Sequence, residues 1–198
     1  MTAIFIAPTN LLLFYAIFTC ALTLVLSIYP GVLNGLLGFI AIAFLWLILL
    51  AACAIAGIKL WLRRKEPTLK SEFQRLTVTF LIIIVSYSLL KFYVPRRIGF
   101  FFSRPAFVQW LAKNPSKTNQ PRLIEAKLGI YQVDEYASSS NGGSYFRVYS
   151  HGDGLGPDTV SYGFAYQPNS QTSPFGAANY HIYPLGDRWY WFQASNDW

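Results

Sequence analysis

The chain runs for 58 residues before its first charged side chain, Lys59. No motif in it restricts the possible folds as strongly. An uncharged apolar stretch of that length belongs in lipid, where helices satisfy their own backbone groups. Residues 11–29 form a first apolar run, about 28 Å long as a helix and close to the roughly 30 Å thickness of a bilayer core. Pro30 and Gly31 break it, with Asn34 and Gly35 just beyond. Residues 33–58 form a second run of about 39 Å, long enough to tilt or to project from the bilayer. Small residues at the start of and along this run (Gly31 just ahead of it, then Gly35, Gly38, Ala41, Ala51, Ala52, Ala54, Ala56 and Gly57) would let a neighbouring helix approach closely, or simply reflect spanning-helix composition. Residues 76–94 make a third run in which Lys91, near the end, is the single charge. The first ten residues lack the basic region of a secretory signal, so no removed peptide is expected.

Charge then sets an orientation. Residues 59–75 carry six basic side chains (Lys59, Arg63, Arg64, Lys65, Lys70, Arg75) against Glu66 and Glu72. Such an excess between apolar runs stays on the cytoplasmic side. That places the N-terminus in the cytoplasm and, after three crossings, the C-terminal region outside it, in a periplasm or lumen. The basic group Lys91, Arg96, Arg97 and Arg104 at and beyond the end of the third run narrows its charge bias, and a re-entrant third run would leave the tail cytoplasmic. The net charge of +7 is local: residues 59–127 hold fourteen basic and three acidic side chains, residues 128–198 two and six. These basic residues flank apolar runs, where lipid head groups meet them, which argues for a bilayer partner and against nucleic acid. Cys20 and Cys53 fall at different depths of their runs, so no disulfide is expected.

From residue 95 the character changes. Ser103 reads as a helix N-cap before Pro105, and Phe107, Trp110 and Leu111 repeat at helical spacing, giving an amphipathic helix over 103–113. Its apolar face either lies on the membrane surface, with Phe100, Phe101 and Phe102 beside it, or covers the sheet that follows. Residues 114–122 read as a linker, and from residue 127 the period becomes two. Strands are expected at 128–134, 145–150, 159–166, 180–183 and 188–193. The expected architecture is thus three transmembrane helices (residues 1–94) and a small α+β domain (residues 95–198) with an antiparallel sheet of about five strands. Sixteen aromatic residues in 128–198 supply the burial that so small a core needs.

Chemistry-bearing residues are sparse. Asp153 and Asp158, in HGDGLGPD, are weak oxygen ligands for a cation, because the spacing of an EF-hand is missing and a Gly-rich turn explains them. His151 and His181 stand at no zinc spacing. Asp134 and Glu135 are adjacent and would point to opposite faces of a strand, a poor acid/base pair. No catalytic residue, metal or cofactor is assigned. Trp189, Tyr190 and Trp191 would make a stacking platform for a sugar or lipid edge if they faced solvent, and core of the sheet otherwise.

The series SRPAF (103–107), LGIYQVDEY (128–136), YFRVYS (145–150), SYGFAYQPN (161–169) and YPLGDRWYWF (183–192) resembles a group of uncharacterised bacterial, particularly cyanobacterial, membrane-anchored proteins with this tail behind a few spans. The resemblance implies a bacterial inner or thylakoid membrane, and no catalytic residues. Three functions are weighed: a non-enzymatic accessory or assembly protein working through protein contacts, a glycan- or lipid-binding module, and an enzyme built on Asp134, Glu135, His151 or Asp153.

Overall fold

The computed structural model describes residues 8–63, 69–114, 120–139, 143–152 and 159–196. Four helices precede six strands among them: α1 (Pro8–Leu26), α2 (Leu36–Leu62), α3 (Leu69–Lys91), α4 (Val94–Lys113), β1 (Arg122–Leu128), β2 (Tyr131–Ser138), β3 (Ser144–Gly152), β4 (Thr159–Tyr166), β5 (Asn179–Gly186) and β6 (Trp189–Ser195). They form two compact units. One holds Met1–Leu26 and Leu37–Val94; the other holds Ser27–Leu36 together with Pro95–Trp198.

In the first unit, α2 and α3, of 27 and 23 residues, are long and apolar enough to cross a membrane, and α1 is a shorter apolar helix. Leu12 and Ala16 of α1, Leu49 and Cys53 of α2 and Leu76 of α3 make its buried seam. The pairs four apart share a helix face, which brings one stripe of each helix inward. Two polar contacts pin α1 to α2: Tyr15 donates to the Leu45 carbonyl at 3.2 Å and the Trp46 indole to Thr23 Oγ1 at 3.1 Å. The outward residues are apolar as well, with Phe14, Phe44, Leu47 and Ile84 all exposed, and helices apolar on every side are those of large cores or membranes. Cys20 and Cys53 are buried free thiols.

The helix bounds correct the expected spans. Gly31 lies in a turn, as the expected break at Pro30 and Gly31 requires, and takes φ +87°; its carbonyl receives the N–H groups of Asn34 and Gly35, so Gly35, expected inside the second run, belongs to this turn ahead of α2. The basic stretch is largely two helix ends, with Lys59 in the last turn of α2 and Lys70 and Arg75 within α3; Arg64 and Lys65 lie outside the described residues. Lys59 at a C-terminus and Glu72 at an N-terminus both suit the helix dipole.

In the second unit, α4 begins at Val94 and not at residue 103. Tyr93, at φ 54° with its N–H on the Leu90 carbonyl at 3.0 Å, closes α3, and Pro95 then occupies the first turn of α4. Ser103 is therefore inside a helix, where its hydroxyl accepts the N–H of Ile130 at 3.1 Å. The sheet has six strands, all pairs antiparallel, in the order β1-β2-β3-β4-β6-β5. The extra strand arises because Gly129, at φ +65°, turns the chain at Gly129 and Ile130, splitting the expected strand 128–134 between β1 and β2. β4 coincides with the expected 159–166. Asp187 and Arg188, both at positive φ, make the tight turn between β5 and β6.

Both sheet faces are covered. Phe100 and Phe107 of α4 pack on Tyr131, Val133, Tyr136, Phe146, Phe164 and Trp189 of one face. On the other, Phe175 stacks on Phe192 at 5.8 Å and 6°, over Ala137, Tyr145, Ala165 and Ala194. Each buried ring contributes about 1.5–3 kcal/mol by removal from water. Both edges resist extension. β1 carries a register shift between Leu123 and Ala126 and the charges Arg122, Glu125 and Lys127, while β5 carries Pro184.

Candidate functional site

The most constructed feature of the second unit is the seat of residues 27–36 on the sheet. Tyr149 of β3 and Tyr162 of β4 present their rings to this turn, and a Cβ on Gly31 would come within 2.3 Å of Tyr162 Cδ2 and 2.7 Å of Tyr149 Cδ1. A Cβ on Gly35 would come to 3.0 Å from Tyr149 Oη. Only a backbone stripped of side chain fits so near the rings. Three hydrogen bonds hold it: Asn34 Nδ2 donates to Tyr162 Oη at 3.2 Å, Tyr131 donates to the Ile28 carbonyl at 3.2 Å, and Tyr29 donates to the Ile130 carbonyl. Tyr29 also meets Tyr131 edge-on, centroids 5.0 Å apart. Tyr131 is fully buried here, and that burial pushes its phenol well above the usual value, against a smaller lowering by the nearby Arg96.

His151 belongs to this seat. Its ring stacks on Tyr162 at 5.5 Å and 28° and approaches Tyr149 at 5.9 Å. Nδ1 lies 2.8 Å from the Gly152 carbonyl, a contact that requires the proton on Nδ1. Asp153 and Asp158 lie outside the described residues.

The expected acid/base candidates are committed elsewhere. Arg147 Nη2 lies 3.0 Å from Asp134 Oδ2 and 2.8 Å from Glu135 Oε1, and its Nε adds bonds of 3.2 and 3.0 Å to the Asp134 carboxylate. Both carboxylates reach one guanidinium, so they do not point to opposite faces. The two-residue alternation is interrupted at this point, opposite the register shift of β1. Arg147 also lies over the Phe175 ring at 5.6 Å. A bidentate, partly buried pair of this kind ties down both acids and holds a covering loop.

Trp189 and Trp191 are 1% and 5% exposed, so the surface platform is corrected to core, with Tyr190 between them half-buried. Trp189 packs on Phe100 and Phe107, and Trp191 stacks on Tyr183 at 4.0 Å and 9°. Arg96 is corrected with them. Expected at head-group level, it is buried with its guanidinium 4.0 Å over the Trp191 ring, and a planar cation spreads well over an indole. Arg97, by contrast, is exposed. Tyr145 and Tyr180 make a second buried tyrosine site: Tyr145 donates to the Thr172 carbonyl at 3.2 Å and Tyr180 to the Asn169 carbonyl at 3.0 Å. Burial raises both phenols, and for Tyr180 the Tyr145 hydroxyl 3.4 Å away adds to the rise.

Two clefts border α4. One, of about 510 Å³, is lined by Arg97, Phe101, Phe102, Arg104, Leu185 and Gly186; another, of about 530 Å³, lies between Val108, Leu111, Tyr166 and Arg188, across the Arg104–Asp187 ion pair. Among the described residues no group of three or more His, Cys, Asp or Glu is arranged to hold a metal.

The tyrosine seat escaped sequence reading, though its signals are present: a Gly-x-x-Asn-Gly turn at 31–35, and bulky and slim residues alternating along 159–166. Arg147 had a signal too, as one of two basic residues among the six acids of 128–198. No protein-family model matches the chain, and no curated protein or solved structure matches it.

Proposed function

We propose that the chain is a three-span integral membrane protein that presents its sheet unit outside the cytoplasm as a non-enzymatic accessory or assembly factor, through contacts with a membrane, periplasmic or lumenal protein. One observation carries the topology: Ser27–Leu36, which joins α1 to α2, belongs to the same unit as the sheet. The chain must therefore leave that side and return to it between residues 36 and 95. With α2 a crossing, α3 must cross as well, so a re-entrant α3 is disfavoured. The basic residues between them, Lys59, Arg63, Lys70 and Arg75, then fall on the opposite side, where positive charge is retained in the cytoplasm. Commitment of Asp134 and Glu135 to Arg147, and of both tryptophans to the core, supports a structural domain over an enzyme or an aromatic ligand platform. A bacterial inner or thylakoid membrane remains part of the proposal.

Single cysteines at the exposed Ser71 and Ser170 test the topology. In sealed vesicles of one orientation an impermeant thiol reagent labels one and spares the other; labelling of both from the same side overturns three crossings. Crosslinking in native membranes tests the accessory role. A discrete partner recovered in fixed ratio supports it, and repeated recovery of the chain alone overturns it.

A further inference from the structure

Helix α4 has two apolar faces, and the sheet uses one. Phe100, Ser103 and Phe107 face inward and are buried, whereas Ile98, Phe101, Phe102, Pro105 and Val108 lie outward. Phe101 and Phe102 are 69% and 73% exposed, beside Ile98 at 51% and Val108 at 47%. The helix contains no acidic residue, and the exposed Arg97 and Lys113 with the half-exposed Arg104 border the outward face. Such a face, with aromatic rings at the centre and cations at its margins, has the composition of a helix lying in a bilayer interface. Chain connectivity delivers it there. Only Phe92 and Tyr93 separate α4 from the last residue of α3, a reach of at most roughly 10 Å.

From these observations we infer that the outward face of α4 docks on the bilayer surface, with Phe101 and Phe102 at the boundary between head groups and acyl chains and Arg97 and Lys113 paired with anionic phospholipid head groups. This rests on the membrane-spanning reading of α3. The ion pair of Arg104 with Asp187 leaves Arg97 and Lys113 as the cations with no competing carboxylate in the described contacts of α4. Ile130, 45% exposed and next to the N-terminal half of α4 at Gly99, extends the apolar surface. Lipid is favoured over a second copy of the chain because Arg97 and Lys113 leave the border of the face net cationic even with Arg104 offset by Asp187, which repels its own duplicate and attracts an anionic surface.

The test uses the full chain in vesicles of phosphatidylcholine with phosphatidylglycerol. Phe102→Cys and, separately, Ile84→Cys carry an environment-sensitive fluorophore, with the unsubstituted chain, whose Cys20 and Cys53 are buried, as background. Nitroxides are placed on the lipid either near the head of the acyl chain or near its terminal methyl. The expected result is quenching at 102 by the shallow nitroxide over the deep one, with a label depth of roughly 5–10 Å. A label at 84, inside α3, is quenched more by the deep nitroxide. Arg97→Gln with Lys113→Gln reduces quenching at 102 and leaves 84 unchanged. Quenching at 84 without quenching at 102 overturns the docking and leaves the span intact. Absence of quenching at 84 removes the span and the docking with it. Oxidative crosslinking of the unlabelled Phe102→Cys chain to a dimer, with 102 shielded from both nitroxides, assigns the face to a second copy and overturns the inference.

Discussion

Asn34 donates its side-chain amide to the Tyr162 hydroxyl at 3.2 Å across 128 positions of sequence. One end of this bond lies in the connection between two apolar helices and the other in the centre of a sheet. The hydrogen bond is modest on its own, about 1 kcal/mol. Its partner in holding the turn is the absence of a side chain at Gly31.

Gly31→Ala is expected to destabilise the sheet unit by about 2 kcal/mol or more. The positive φ costs an alanine about 1 kcal/mol, and the new methyl must displace the Tyr162 ring, which stands 2.3 Å from its position. Gly57→Ala is the comparison, since nothing lies within 4 Å of its Cβ position in α2. Thermal unfolding in detergent, followed by tryptophan fluorescence, should separate the two, with Gly57→Ala unchanged or slightly raised.

Phe107 touches the rings of Phe100, Tyr131, Phe146, Phe164 and Trp189 and is fully buried. Phe107→Ala should cost about 3–5 kcal/mol, a large part of what so small a domain has. Phe102→Ala, five residues away on the same helix, should change unfolding in detergent by less than about 0.5 kcal/mol. Limited proteolysis and denaturant titration of both variants would show the contrast, and equal effects would contradict the two-faced helix.

Removing Arg147 leaves Asp134 and Glu135 side by side without their cation. Arg147→Met is expected to destabilise by about 1–3 kcal/mol, discounted for the partial exposure of Asp134. Adding Asp134→Asn and Glu135→Gln to Arg147→Met should recover part of the loss. A triple variant no better than Arg147→Met would mean that packing on Phe175, and not charge, is the contribution of the arginine.

Tyrosines give the unit an alkaline limb. An unfolded tyrosine loses its proton near pH 10, while burial holds Tyr131, Tyr145 and Tyr180 protonated above that pH in the folded chain. The unfolded state then releases protons that the folded state keeps. Stability from these groups is full below about pH 10 and falls as pH rises through and beyond it. Melting temperature measured from pH 8 to pH 11 should be flat and then decline, and phenolate absorbance should appear for these three only on unfolding. Tyr145→Phe should shallow the decline at a cost of about 1 kcal/mol at neutral pH, from the lost bond to the Thr172 carbonyl.

Much of this fold is legible in the sequence because its signals are local. Long apolar runs with almost no charge gave the long helices α2 and α3, and strict alternation placed β4 to the residue. What escaped depends on distant partners. Gly129 looks like part of a strand until Ser103 is placed against it, with an oxygen 2.4 Å from where a Cβ would stand. Ser103 looks like a helix cap until Ile130 claims its hydroxyl. Arg96 reads as a head-group ligand because basic residues beyond an apolar run usually are, and only the fold puts the Trp191 ring beneath it. The tyrosine seat is the extreme case, since each half is an ordinary turn or an ordinary strand by itself.

Because Ser27–Leu36 is structurally a piece of the sheet unit, the two parts of that unit emerge from the ribosome far apart in time. Residues 27–36 are made early and must wait, unsheltered, until β4 arrives more than a hundred residues later. Biosynthesis therefore cannot complete this domain vectorially, and a fragment cut to begin at Pro95 would emerge with its tyrosine rings bare, prone to aggregate where the intact polypeptide does not.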